Sequence, residues 1–266
     1  MVVAGRRALG WAERCLESVS WQVGDYDVEL VYVDDASGYD PVSEAALTRT
    51  VTRHRGRLLM NETRRYQIGS IARAIETITD PFRVVCVLDG DDYLLPHAFR
   101  TVAGAYSDRR VAFTYGSVLV DFEPYQDTRA DYFGADKRTV NTEYSEAVWR
   151  ARTFREDGFR CFHLRTFRRW LWDKLDRETL QMTDGTAIRG SGDSAYIFPM
   201  LEMLGDPAHV RFIRDRIYVY RLHDGCVHVV DKEGQHDGLE DLRFRRPPYR
   251  PLPRGELGDL LLRAWS

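Results

Sequence analysis

The residues able to do chemistry in this 266-residue chain are acids placed where apolar runs end. Val84 to Leu88 is uninterrupted apolar sequence, and Asp89, Asp91 and Asp92 follow at once around Gly90. Asp27 to Val33 likewise ends in Asp34 and Asp35. A short apolar run bounded by turn residues reads as a strand buried on both faces. Acids at its carboxyl end sit where open parallel sheets bind ligands. Crowded carboxylates repel unless a cation lies among them. Oxygen donors suit Mg2+ or Mn2+, which usually also hold substrate phosphates. Farther on, Asp193 opens an apolar helical pattern after Gly190 and Gly192, and His223 follows a strand-like segment.

The elements that must position these acids alternate along the chain. Val2 to Gly5 reads as the end of a strand, and Ala8 to Ser20 as an amphipathic helix. After the strand at 27–33, helical patterns are expected between Pro41 and Thr52, over Ile71 to Thr77 and over Pro96 to Tyr106. Short strands are expected at Arg57 to Met60 and Val111 to Leu119. This alternation predicts an α/β fold with a mainly parallel central sheet and helices on both faces. Right-handed crossovers place both acidic clusters on one edge of that sheet.

With those residues in view, the chain resembles the family 2 glycosyltransferases, which have the GT-A fold. VDDAS (Val33 to Ser37) and LDGDD (Leu88 to Asp92) resemble the family's nucleotide-binding motifs. CLESVSWQ from Cys15, QIGSIARA from Gln67, GDSAYIFPMLEMLG from Gly192 and YVYRLH from Tyr218 resemble further landmarks in the family's order. The resemblance covers roughly residues 2 to 230 and departs at Arg6, where asparagine is usual, and at Gly192, where a second acid often stands. It implies an inverting, metal-dependent transfer of sugar from a nucleotide-sugar, a UDP-sugar foremost, to a hydroxyl on a sugar, lipid-linked or other acceptor. It implies that Asp35, supported by Asp34, contacts the base, that Arg73 lies near base and diphosphate, and that Asp91 contacts the ribose. It further implies Asp92 and His223 as metal ligands for Mn2+ or Mg2+, Arg165 as a phosphate or acceptor contact, and Asp193 as the general base.

Two other readings compete. A haloacid-dehalogenase-type phosphohydrolase would use Asp89, Asp91 and Asp193, but leaves VDDAS unexplained. A non-catalytic nucleotide-sugar-binding module would fit the short first strand, though the acids are intact. No GxxxxGK[ST] or HExxH pattern occurs.

Composition narrows the remaining classes. A formal charge of -3 gives no argument for nucleic acid. The four cysteines, Cys15, Cys86, Cys161 and Cys226, are far apart, which fits a reduced, cytoplasmic setting. No apolar run reaches the length of a membrane span. Residues 1–231 are expected to form the transferase domain, split near 120 into a nucleotide-sugar half and an acceptor half. Between 120 and 160, Tyr125, Tyr132, Phe133, Tyr144 and Trp149 suggest a sugar-binding loop or core anchors. Residues 232–266 read as an Arg/Pro-rich tail that touches an anionic membrane or folds back on its own domain, with Leu257, Leu260, Leu261 and Trp265 in a closing helix.

Overall fold

The computed structural model describes residues 1–121 and 139–264. Tyr125, Tyr132, Phe133 and Trp265 lie outside the described residues. In chain order the elements are β1 (Val2–Gly5), α1 (Leu9–Ser20), β2 (Val31–Asp34), α2 (Pro41–Arg53), β3 (Arg57–Met60), α3 (Tyr66–Ile75), β4 (Val84–Asp89), β5 (Tyr93–Leu94), α4 (Ala98–Tyr106) and β6 (Phe113–Asp121). After the undescribed stretch come α5 (Glu146–Ala151), α6 (Phe154–Asp157), β7 (Arg165–Arg168), α7 (Arg169–Asp173), α8 (Ser194–Leu204), β8 (Val210–Arg221), α9 (Val227–Val230), α10 (Lys232–Phe244) and α11 (Arg254–Arg263).

The strands form one sheet in the order β3-β2-β1-β4-β7-β6-β8-β5. The first four are parallel, as the alternating pattern requires. Beyond them β7 runs antiparallel to both β4 and β6, β6 and β8 are parallel, and β5 is antiparallel to β8. Successive residues of β1 show why helices cover both faces. Val2 and Ala4 join one core with Ile68, Ile71 and Ile75 of α3, while Val3 joins the other with Leu16 of α1 and Leu47 of α2. Each fully buried aliphatic side chain of this kind contributes roughly 1.5–3 kcal/mol.

Several expected boundaries shift. The strand expected from Asp27 begins its sheet pairing at Val31. The third helix starts at Tyr66, before the Gly69–Ser70 start signal. Tyr144 and Trp149 are buried core anchors rather than sugar platforms; their rings pack edge-on against Phe154 at centroid distances of 5.2 and 4.7 Å.

The segment beyond 231 is folded back on the domain, not extended. Helix α10 packs on α8, and α11 buries Leu257 and Leu261. The anchor is a buried ion pair. Arg155 donates from Nε and Nη2 to Glu202 Oε1 and Oε2 at 2.6 and 2.8 Å, and from Nη1 to the carbonyls of Leu242 and Arg246. The amide of Tyr249 donates to Glu202 Oε2 at 2.8 Å. Of the arginines that suggested a membrane tail, Arg243 donates to the Arg155 carbonyl and Arg246 to those of Glu178 and Gln181, so both are structural. Among the described residues no helix is long and apolar enough to cross a membrane.

Candidate active site

Strand register delivers the two acidic clusters to one edge. Gly5 of β1 pairs with Asp34 on one side, and Ala4 with Asp89 on the other. The strand ends approach closely because there is no side chain at the contact. A Cβ on Gly90 would lie 2.9 Å from the Gly5 Cα and 3.1 Å from Tyr32 Oη. Gly90 is therefore required for close packing against β1.

Asp34 is buried and turned inward. It accepts from the Ser37 amide at 2.9 Å and from the Ser37 hydroxyl, which itself accepts from the Arg7 amide. It braces the turn that presents Asp35. Asp35 Oδ1 accepts from Asn61 Nδ2 at 2.9 Å and from the Arg65 amide at 2.7 Å, leaving Oδ2 without a hydrogen bond among the described residues. Arg73 does not enter this crevice with a free guanidinium. Its Nη1 donates to the Met60 carbonyl and to Asn61 Oδ1, each at 2.6 Å, so it acts on Asp35 through Asn61.

The LDGDD turn divides its three acids. Asp89 Oδ1 accepts from Gln67 Nε2 at 2.7 Å, and its Oδ2 is 3.5 Å from His163 Nε2. Burial pushes the Asp89 carboxyl up to about 7, with the charge of Asp91 adding to it and Arg165 opposing. His163 is buried and stacked on Tyr218; burial and then Arg165 hold it well below the usual imidazole range, so it is neutral. Asp92, expected as a metal ligand, is 2% exposed and faces the core. Its Oδ2 accepts from the Tyr218 hydroxyl at 2.5 Å and its Oδ1 from the Arg221 amide at 2.7 Å. Burial raises its carboxyl well above the ordinary range, as do the charges of Asp91 and Asp89. Both Asp92 oxygens are engaged by β8, so this side chain fastens the turn to the sheet. The atoms grouped closely enough to share a cation include Asp91, expected at the ribose, and not Asp92. Asp91 Oδ2 lies 2.8 Å from His223 Nε2, and Cys226 completes a group whose donor atoms all lie within 4.8 Å of one another. The bond to Asp91, then one to Cys226, raises His223 to about 10.

Asp193 reaches the same edge from the N-cap position of α8. Its Oδ1 accepts from the Ser194 amide at 2.9 Å, and its Oδ2 is 2.7 Å from Arg165 Nη2. Arg165 is buried on β7, a strand that sequence periodicity did not show, and it donates from Nε to the Cys161 carbonyl at 2.7 Å. Burial alone would lower the Arg165 pKa, but the charge of Asp193 and its neighbours raises it overall. Arg165 thus orients Asp193. The loop before Asp193 is held between two helices. A Cβ on Gly192 would be 3.0 Å from Ile68 of α3, and one on Gly190 would be 2.6 Å from the Gln235 Cα of α10. The Ser191 amide donates to Gln235 Oε1 and the Ser191 hydroxyl to the Gln235 carbonyl, each at 3.0 Å.

Sequence reasoning missed Tyr218, Gln67 and Cys226 as parts of this site. Tyr218 reads as one more inward residue of a strand. Cys226 carried a weak signal, its His-x-x-Cys spacing from His223.

Comparisons with known proteins agree with this architecture. The family model described as "Glycosyl transferase family 2" matches residues 6–178, more than half of the chain. MT1568 of Mycobacterium tuberculosis is 34% identical over 109 residues, which cover 41% of this chain and 32% of that protein. S. aureus TarS 1-349 in complex with UDP-GlcNAc superposes with a TM-score of 0.60 at 12% identity, covering 99% of this chain and 70% of that one. A second structure of TarS 1-349 gives 0.58 at 12% identity and covers 83% of this chain, which spans only 59% of it. The mannosyltransferase PcManGT from Pyrobaculum calidifontis, in complex with GDP-Man and Mn2+, gives 0.55 at 17% identity, with 99% of this chain and 68% of that one covered. The fold is the GT-A fold.

Proposed function

The chain belongs to glycosyl transferase family 2, and from that premise we propose that it moves a sugar from a nucleotide-sugar to an acceptor hydroxyl with inversion at the anomeric carbon. The observation that carries this reading is the convergence of Asp35, Asp91 and the Arg165–Asp193 pair on one edge of the sheet. Asp35 accepts from the nucleotide base through its unbonded Oδ2. Arg73 and Asn61 keep that carboxylate in register behind it.

The donor set at the turn fits a divalent cation, since a carboxylate and an imidazole already lie 2.8 Å apart at the crevice. Asp91 and His223 are the residues that would hold it, and Asp92 is not. When bound, such a cation neutralises the charge that develops on the departing diphosphate. Asp193 receives the proton of the acceptor hydroxyl as that oxygen attacks the face opposite the diphosphate. Arg165 fixes the direction of the Asp193 carboxylate, and the α3–α10 clamp fixes its backbone. The structural relatives named above carry UDP-GlcNAc and GDP-Man, so UDP- and GDP-sugars are the first donors to test. The phosphohydrolase reading is set aside, because it gives Asp35 and its bracing network no task.

Thermal melting with UDP-, GDP- and dTDP-sugars and Mn2+ tests the donor. A ligand that binds only the folded state at about 100 times its Kd stabilises by roughly 2.7 kcal/mol, a shift of several degrees. One nucleotide class should raise the midpoint in the parent and not in Asp35→Ala. No shift with any of them would contradict the reading.

A further inference from the structure

Cys226 has no task in the transfer chemistry described so far, yet it is held against the crevice by a dedicated turn. The chain leaves β8 at Arg221 and folds back within a few residues. The Cys226 amide donates to the His223 carbonyl at 3.1 Å, and the Gly225 amide to His223 Nδ1 at 3.1 Å. This turn sets the thiol, 5% exposed, beside the imidazole. The Trp11 ring packs on the His223 ring at a centroid distance of 5.7 Å, and the Arg221 guanidinium lies over the Trp11 ring at 4.1 Å. Cys226 Sγ also donates a long hydrogen bond, 3.6 Å, to the Arg221 carbonyl. An oxygen, an imidazole nitrogen and a sulfur thus lie within 4.8 Å of one another. Two ligands of one ion, bound at about 2.0–2.3 Å each, are separated by at most about 4.5 Å. The three atoms need only a small closure to share a cation.

We infer that Cys226 is a third protein ligand of the divalent cation that Asp91 and His223 would hold, and that its thiolate biases the site toward borderline metals such as Co2+ and Zn2+ and away from Mg2+. This rests on the metal site of the reading above, but not on the transfer reaction. A sulfur donor is poorly matched to Mg2+, whereas thiolate with imidazole suits the later divalent metals. On binding, the Cys226 S–H bond breaks, its proton leaves to solvent, and the sulfur lone pair forms the bond to the metal. Nε2 of His223, which faces Asp91, must also be free of its proton to bind, so that proton leaves to solvent or moves to Nδ1 in place of the Gly225 amide bond.

The test is a Co2+ titration of the full chain followed by absorption spectroscopy. The parent should develop a near-ultraviolet sulfur-to-cobalt charge-transfer band. Cys226→Ser should lose that band, bind Co2+ on the order of 10-fold to 100-fold more weakly, the range seen when support of a metal site is removed, and bind Mg2+ no less tightly than the parent. Circular dichroism melting checks that the variant folds. A parent that binds Co2+ without the band overturns the inference while leaving Asp91 and His223 as ligands. A parent that binds no Co2+ overturns it together with the site. A band that persists in Cys226→Ser assigns the sulfur to Cys15, Cys86 or Cys161 and also overturns it. Donor-induced melting shifts are read separately, so failure of the transferase reading remains distinguishable.

Discussion

The two halves of the sheet place site residues by different means. In β3-β2-β1-β4, each acid sits at the end of the strand that precedes it, and parallel register alone aligns Asp34 with Gly5 and Asp89 with Ala4. In β7-β6-β8, the site residues depend on partners far away in sequence. Arg165 on β7 meets Asp193 at the N-cap of α8, and Tyr218 on β8 meets Asp92, 126 residues earlier. The first half is a repeated local design, and the second is assembled by long-range polar contacts. A substitution in the first half should therefore change ligand binding or strand approach locally. A substitution in the second half should disturb both folding and the orientation of the base.

The largest effect on stability is expected at the Arg155–Glu202 pair. Its side chains are 7% and 1% exposed, and breaking a buried pair by removing one partner typically costs about 3–5 kcal/mol. Glu202→Ala should lower the denaturation midpoint accordingly and loosen α10 and α11 before β1–β4 open. Hydrogen exchange that loosens both halves together would break the comparison.

Next in size is Gly90→Ala, which forces a Cβ against Gly5 and the Tyr32 hydroxyl. Overpacking of this kind costs about 1–3 kcal/mol. Gly104→Ala, where a Cβ meets nothing within 4 Å, is the control and should not destabilise. Equal melting of the two variants would remove close approach as the reason for Gly90.

Paired substitutions in the turn separate ligand from fastener. Asp92→Asn disturbs the bonds to Tyr218 and Arg221 and should cost about 1–3 kcal/mol in urea unfolding, with Mn2+ affinity nearly retained. Asp91→Asn should weaken Mn2+ binding in calorimetry, and its stability cost, from the lost His223 bond, should shrink above about pH 10 where that histidine is neutral. The opposite pattern would restore Asp92 as the ligand.

The smallest effect is expected at Gln235→Ala, which removes one acceptor from the Ser191 amide for about 0.5–1.5 kcal/mol. Here the loss of turnover should exceed the loss of stability, because the loop carries Asp193. Turnover that merely tracks the folded fraction would show α10 to be packing alone.

This contrast also explains what could be read from the chain beforehand. VDDAS and LDGDD mark strand ends by local pattern, and parallel register brings those ends together at one edge of the sheet. Local pattern cannot say which oxygens face inward. Asp91 and Asp92 are adjacent and chemically identical, and only Tyr218 and the Arg221 amide, on a strand more than a hundred residues later, turn Asp92 away from the crevice. Arg165 is singled out by resemblance alone. Its strand is four residues long, too short for a period, and is defined by its neighbours β4 and β6. For the arginines after 240, charge spacing leaves both membrane contact and a folded-back tail open, because the carbonyl acceptors of Arg243 and Arg246 are set by tertiary packing.

The central claim is direct displacement with Asp193 as the base, and slow donor hydrolysis tests it without knowledge of the acceptor. The donor that raises the melting midpoint is incubated with Mn2+ in water, and proton NMR follows the anomer released before mutarotation. An α-linked donor should release the β-anomer, and Asp193→Asn should slow release by roughly 10²-fold to 10⁴-fold while donor binding is kept. Release of the α-anomer, or an Asp193→Asn rate near that of the parent, would contradict the account.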